Sequence, residues 1–198
     1  MGQPAEKIRL TAEGFLDWEI EQPERWELVD GECFAMAGGT DVHNVISLNL
    51  AFALRTRLSG NRCGVFMSDM KLKIADDETV FYPDVLVSCS EADRGRRQWK
   101  EAPVLIAEVF SPSTEAYDRG RKFTAYRHIP GLVTVLFLNQ NRPFVECYTR
   151  VGDNEWRLTE ARGADSAVAI AALDFNLPLS ELYRDLPDEA DAENGHGG

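Results

Sequence analysis

The sequence predicts an α/β domain built on a mixed central sheet flanked by helices. Two observations carry this. A segment of helical period (41–60) precedes three runs of strand character (64–74, 80–89 and 104–110). A second helical segment, 115–129, then leads into a fourth apolar run, 132–139. A helix, a three-stranded meander and a crossover helix into a fourth strand make an α/β unit with a mixed sheet.

The elements follow in order. "TAEGFLDWEI" (11–20) reads as a short amphipathic helix with Thr11 as its N-cap. "WELVDGECFAMA" (26–37) places two short strands around Asp30-Gly31, a strong hairpin signal. In "DVHNVISLNLAFALRTRLSG" the apolar positions Val42, Ile46, Leu50, Ala53 and Leu54 recur at helical spacing, and Gly60 is a natural stop. "GVFMSDMKLKI" (64–74) and "VFYPDVLVSC" (80–89) each read as one strand, and "VLIAEVF" as the third. Pro130-Gly131 ends the second long helix. "LVTVLFLN" is a buried strand, "FVECYTR" and "EWRLTE" an outer meander, and "LPLSELY" closes the fold.

The 198 residues suffice for one domain, expected over 1–184, and the acidic stretch 185–198 reads as a disordered tail. The net charge of 21 − 33 = −12 argues against blanket attraction to nucleic acid or an anionic membrane. Contact with phosphate must come from a local cluster or a bound cation. No leader with an apolar core and no membrane-spanning run is visible, and Cys33, Cys63, Cys89 and Cys147 form no CxxC pair. Reduced, mostly buried thiols and a cytoplasmic location are the expectation.

Two acids interrupt buried strands: Asp84 in "YPDVLV" and Glu108 in "IAEVF". A carboxylate there loses several kcal/mol of hydration unless it is paired. Asp84 after Pro83 fits a strand bend, and Glu108 fits a pair with an arginine from a neighbouring helix. If the two strands pair, both carboxylates share one face, where a cation would relieve their repulsion. Hard oxygen donors without nearby His or Cys favour Mg²⁺ or Mn²⁺ over zinc. Asp118, Lys122 and Tyr126 share one helix face at i, i+4 spacing, and by spacing alone Asp118–Lys122 is a surface pair.

"WELVDGE", "AMAGGTDVHN", "YPDVLV", "AEVFSPST", "DRGRKFTAY" and "LPLSEL", in that order, resemble the Uma2 family of endonucleases. The resemblance spans roughly 8–184. It implies a restriction endonuclease-like PD-(D/E)XK core with an extra N-terminal hairpin and C-terminal strands. It implies that Asp84 and Glu108 bind the metal. The lysine usual two residues after the Glu is replaced by Phe110, and the family's displaced lysine maps to Lys122. The implied chemistry is metal-assisted phosphodiester hydrolysis, with Lys122 orienting the nucleophile or neutralising developing charge.

Glu32, His43 and Tyr126 are expected at the site edge, with Glu27 a weaker candidate. A solvated Glu32 and a core His43 are the plainer readings. Ser111 and Ser113 suit helix capping better than nucleophilic catalysis. Arg94, Arg96, Arg97 and Lys100, with Trp99, form either a nucleic-acid contact or a solvated charged loop. The substrate expected from the resemblance is nucleic acid, DNA in particular, cut by a symmetric homodimer. The apolar character of 132–139 and 144–150 is consistent with a second copy or with packing on the chain's own core. A non-catalytic binding module on the same fold is the alternative, and a purely structural Arg–Glu pair the third reading.

Overall fold

The computed structural model describes residues 8–36, 38–74, 78–110 and 114–186. Helix α1 (Ala12–Glu19) starts at Thr11, whose hydroxyl accepts the Gly14 N–H. Strands β1 (Trp26–Val29) and β2 (Glu32–Ala35) form the expected hairpin, with Trp26 opposite Ala35 and Val29 opposite Glu32. Asp30 (φ 50°) and Gly31 (φ 80°) both lie in the left-handed region, as a two-residue turn that follows the strand twist requires. Helix α2 (Asp41–Arg57) is capped by Thr40, which accepts the His43 N–H. It buries Ile46, Leu50 and Leu54.

The run 64–74 is two strands rather than one. β3 (Gly64–Met67) and β4 (Lys71–Ile74) are separated at Ser68, where φ is 36°. The run 80–89 divides likewise into β5 (Thr79–Phe81) and β6 (Val85–Ser88) around Tyr82-Pro83-Asp84. Proline has no N–H for a ladder and fixes its own φ, so the chain changes sheet there. A short helix α3 (Glu91–Arg94) and β7 (Trp99–Lys100) lead to β8 (Pro103–Phe110). A helical stretch follows as α4 (Glu115–Tyr117), a π-helical turn (Asp118–Lys122) and α5 (Phe123–Tyr126). The chain then forms β9 (Thr134–Asn139), β10 (Phe144–Gly152), β11 (Glu155–Arg162), β12 (Ala167–Ile170), β13 (Phe175–Pro178) and α6 (Leu179–Leu182).

The larger sheet has the order β11-β10-β9-β8-β6-β3. Only β8 and β9 are parallel in it, because a helical crossover joins them, so the sheet is mixed as expected. A five-stranded sheet, β2-β1-β5-β4-β7, forms a second layer, and β12-β13 pair separately. Alternation along the central strands feeds two cores. Val85, Val87, Leu105, Ala107 and Leu136 face α2 and α6, whereas Leu86, Ile106, Phe110 and Phe137 face Phe81 and Tyr126. The apolar residues of β9 and β10 are largely consumed in these cores, Val145 and Cys147 included.

The expectation of reduced thiols is corrected. Cys63 and Cys89 are joined as a disulfide, and only Cys33 and Cys147 are free thiols. The pairing follows from register: Gly64 lies opposite Ser88, so the residues just outside that pair face each other. Spacing in sequence, 26 residues apart, gave no hint of it. No helix among the described residues is long and apolar enough to cross a membrane.

Candidate active site

Asp84 sits where the chain passes from one sheet to the other. Val85 pairs with Ala107, so one step further along the same antiparallel register brings Asp84 against Glu108. Asp84 Oδ2 accepts the Val109 N–H at 2.7 Å and lies 3.0 Å from His43 Nε2. His43 reaches it from the first turn of α2, whose start Thr40 sets. A Cβ on Gly39 would come within 2.9 Å of His43 Nδ1, so the absence of a side chain there makes room for the imidazole.

Glu108 is buried in β8, on the sheet face covered by α5. Its Oε1 accepts the Tyr126 hydroxyl and lies 3.3 Å from Lys122 Nζ. Lys122 also reaches Glu27 Oε1 at 3.2 Å and Asp118 Oδ1 at 3.7 Å. Asp118 and Lys122 are the two buried residues of the π-helical turn, and such turns recur at functional sites. Glu27 is held by the Tyr82 N–H at 3.3 Å and the Tyr117 hydroxyl at 3.5 Å.

Four carboxylates (Glu27, Asp84, Glu108, Asp118) thus surround one ammonium and one imidazole in a cavity of about 660 Å³. Met36, Gly39, Thr40 and Gln140 line its mouth. Burial, with repulsion from Asp84 and Asp118, pushes the Glu108 carboxyl well above the usual carboxylate range despite the attraction of Lys122. Burial also raises Asp118, against the pull of Lys122. Burial works against the Lys122 charge, but Glu108, Glu27, Asp118 and Asp84 outweigh it and hold the lysine protonated. The hydrogen bond to Asp84 raises His43, against its partial burial.

The cavity brings together Asp84, Glu108, Lys122 and His43, with Tyr126 directly behind Glu108. It does not include Glu32. That residue lies at the turn end of the hairpin and pairs with Arg9 at 3.4 Å. Glu27, near the other end of β1, takes the place expected for it. The signal for Glu27 was the same as for Glu108, an acid inside an apolar strand, "WELV". Asp118 was readable only as a surface partner of Lys122, yet it is buried. Ser111 and Ser113 lie outside the described residues. Arg94, Arg96, Arg97 and Lys100 line a separate cavity of about 360 Å³ by Ser88, at the opposite end of β6 from Asp84. There Lys100 is buried on the carbonyls of Asp93 and Arg96, and Arg96 pairs with Asp93 at 3.0 Å and Glu101 at 2.8 Å.

Among the described residues no three His, Cys, Asp or Glu side chains converge as a ready metal cage. The donor chemistry nevertheless suits a hard divalent cation. The described contacts engage only Oδ2 of Asp84 and Oε1 of Glu108, so each carboxylate has a second oxygen to offer. Mg²⁺ commonly binds one or two carboxylates and keeps several waters. The excess of carboxylate over cationic charge points the same way.

The fold has a solved counterpart. A structure titled as a "putative nuclease belonging to DUF820" from Anabaena variabilis superposes with a TM-score of 0.69. The match covers 88% of this chain and 97% of that one at 15% identity, and the shared core is restriction endonuclease-like. Two uncharacterized proteins of Synechocystis sp. are closer in sequence. One is 35% identical over 178 residues, covering 90% of this chain and 93% of the relative. The other is 38% identical over 162 residues, covering 80% and 91%. Residues 12–180 match the family described as "Uma2: Putative restriction endonuclease". With most of the chain inside that match and the strands, helices and acidic cavity arranged as above, the protein belongs to the Uma2 family.

Proposed function

We propose that this protein is a divalent-metal-dependent nuclease that hydrolyses phosphodiester bonds, with DNA as its substrate. One observation carries the reading: Asp84, Glu108 and Lys122 line a single cavity, with Lys122 3.3 Å from Glu108. Asp84 and Glu108 would hold the cation, Mg²⁺ or Mn²⁺. When bound, it would supply Lewis-acid polarisation of the phosphate and a more acidic water. The chain's own residues prepare the rest. Tyr126 and Lys122 hold one oxygen of Glu108, and His43 and the Val109 N–H hold one oxygen of Asp84. Both carboxylates are therefore fixed before substrate arrives. Lys122, kept charged by its acidic neighbours, supplies a fixed cation against charge developing on the phosphate. In a chain of net charge −12, with carboxylates in excess in this cavity, a bound divalent cation would be needed to attract a polyanion there.

A second reading, a non-catalytic binding module on the nuclease fold, draws on the internal pairing of Lys122 with Glu27 and Glu108, which already gives these acids a cation. One experiment separates the two. Single- and double-stranded DNA and RNA are incubated with the protein, with Mg²⁺, with Mn²⁺ or with chelator, beside Asp84→Ala. Metal-dependent cleavage lost in the variant supports the nuclease. Cleavage that survives in the variant, or none under any condition, removes it. The proposed symmetric dimer is tested by light scattering at micromolar concentration, where a monomer mass throughout leaves strand nicking or single-stranded substrates.

A further inference from the structure

We propose that the Cys63–Cys89 disulfide is a thiol-exchange site that takes an anionic low-molecular-weight thiol, forming a mixed disulfide on Cys63. The proposal is independent of the nuclease reading and concerns the opposite end of β6.

Three observations converge on it. Cys63 lines two cavities, of about 470 and 360 Å³, whereas Cys89 lines neither. An incoming sulfur therefore has room to approach Cys63, with Cys89 as the leaving group. The smaller cavity carries Arg62, Arg94, Arg96, Arg97 and Lys100. The carboxylates that pair with these arginines are Glu91, Asp93 and Glu101. Five cations against three carboxylates leave a local excess of positive charge in a chain of net charge −12. The Arg62–Glu91 pair is long, at 3.5 Å, and both side chains are about four-fifths exposed. Such a pair is weak and yields readily to a competing anion. Arg97 is exposed and forms no ion pair among the described residues.

The ligand thiolate attacks Cys63 Sγ, and a ligand–Cys63 S–S bond forms as the Cys63–Cys89 bond breaks. The electron pair leaves on Cys89 Sγ, which takes up a proton. A second ligand thiolate attacks the ligand sulfur of the mixed disulfide and releases the Cys63 thiolate, which is protonated in turn. Two ligand thiols are oxidised to one disulfide, and the protein disulfide is reduced to two thiols. The arginines beside Cys63 raise the local concentration of an anionic reagent. Cleavage unties β3, an edge strand whose sole neighbour in its sheet is β6.

The test uses the full chain, oxidised, with mercaptoacetate as the anionic thiol and cysteamine as the cationic one. Exchange is followed by intact mass after acid quench, with peptide mapping of the adduct and rates expressed per thiolate. Free Cys33 and Cys147 do not react with a reduced thiol, so initial rates are read before ligand disulfide accumulates. At low ionic strength mercaptoacetate should react several-fold faster than cysteamine, with the adduct on Cys63. The preference should shrink in 1 M salt and in the Arg94→Gln/Arg97→Gln variant, whose changes are at exposed positions. Equal or reversed rates overturn the proposal. So does an adduct on Cys89, or failure of Cys63 and Cys89 to pair under mild oxidation. The charge preference and its salt dependence in the unmodified protein decide the matter even if the variant does not fold.

Discussion

Lys122 Nζ lies 3.3 Å from Glu108 Oε1 while both side chains are less than a tenth exposed. The pair joins the π-helical turn to the central strand β8. Removing one partner strands the other charge in the interior, a loss of about 3–5 kcal/mol. Lys122→Met should therefore lower stability by an amount of that order, measured by urea unfolding, and abolish cleavage. Glu108→Gln should also abolish cleavage, yet leave the metal-free protein as stable or more so, because Lys122 keeps Glu27 and Asp118 as partners and a repulsion with Asp84 and Asp118 is deleted.

Divalent metal should stabilise the folded state. At 100-fold excess over its dissociation constant, a cation that binds only the native protein adds about 2.7 kcal/mol. Mg²⁺ or Mn²⁺ should raise the melting temperature of the unmodified protein and leave Asp84→Ala and Glu108→Gln unmoved. A rise of equal size in both variants would place the ion elsewhere.

Gly39→Ala probes the imidazole without touching a charge. The new Cβ would stand 2.9 Å from His43 Nδ1, so the ring must shift from Asp84. Displacement of a site group by ~1 Å can cost on the order of 100-fold in rate. The expected result is a kcat at least tenfold lower with an almost unchanged unfolding midpoint. Unchanged kcat would show that the His43–Asp84 contact is not needed for turnover.

Tyr183 supplies a pH test of the fold. Its single O–H is shared between the carbonyls of Asn139 and Phe144, both at 2.9 Å, and burial pushes its pKa up to about 12. A raised folded pKa means that this stability is complete below the unfolded value, about 10. It is lost as pH rises from there through about 12. Between these limits the unmodified chain should lose about 2–3 kcal/mol relative to Tyr183→Phe, read as the difference between their urea midpoints.

The disulfide closes a loop across a sequence separation of 26 residues. Such a closure is worth about 3 kcal/mol. Treatment with a neutral reductant should lower the unfolding free energy by that order, and Cys63→Ser should match the reduced protein. Identical stability of oxidised and reduced protein would remove the cross-link from the account of stability.

Local chemistry by itself determined the hairpin at Asp30-Gly31, the cap at Thr11, helix 41–57 and the apolar runs of the central strands. Each depends on neighbours in sequence: turn residues with positive φ, a hydroxyl one turn from an N–H, or a period of 2 or 3.6. Asp84 and Glu108 were legible for a related reason, since an acid inside an apolar strand stands out without knowledge of the fold. Tertiary structure alone decided the rest. The runs 64–74 and 80–89 look continuous in sequence, but each divides between two sheets at Ser68 and at Tyr82-Pro83-Asp84. Sheet membership depends on partners far along the chain, and periodicity carries no record of them. The same holds for Glu27 over Glu32: both point from one hairpin, and only the seat of Lys122 selects between them. The Asp118–Lys122 pair reads as a surface contact until β1 and β8 close over it, and Cys63 finds Cys89 only through the β3–β6 register. Pairing energies among buried charges and thiols are set by distance in space, so the sequence named the participants and the packed fold chose which of them meet.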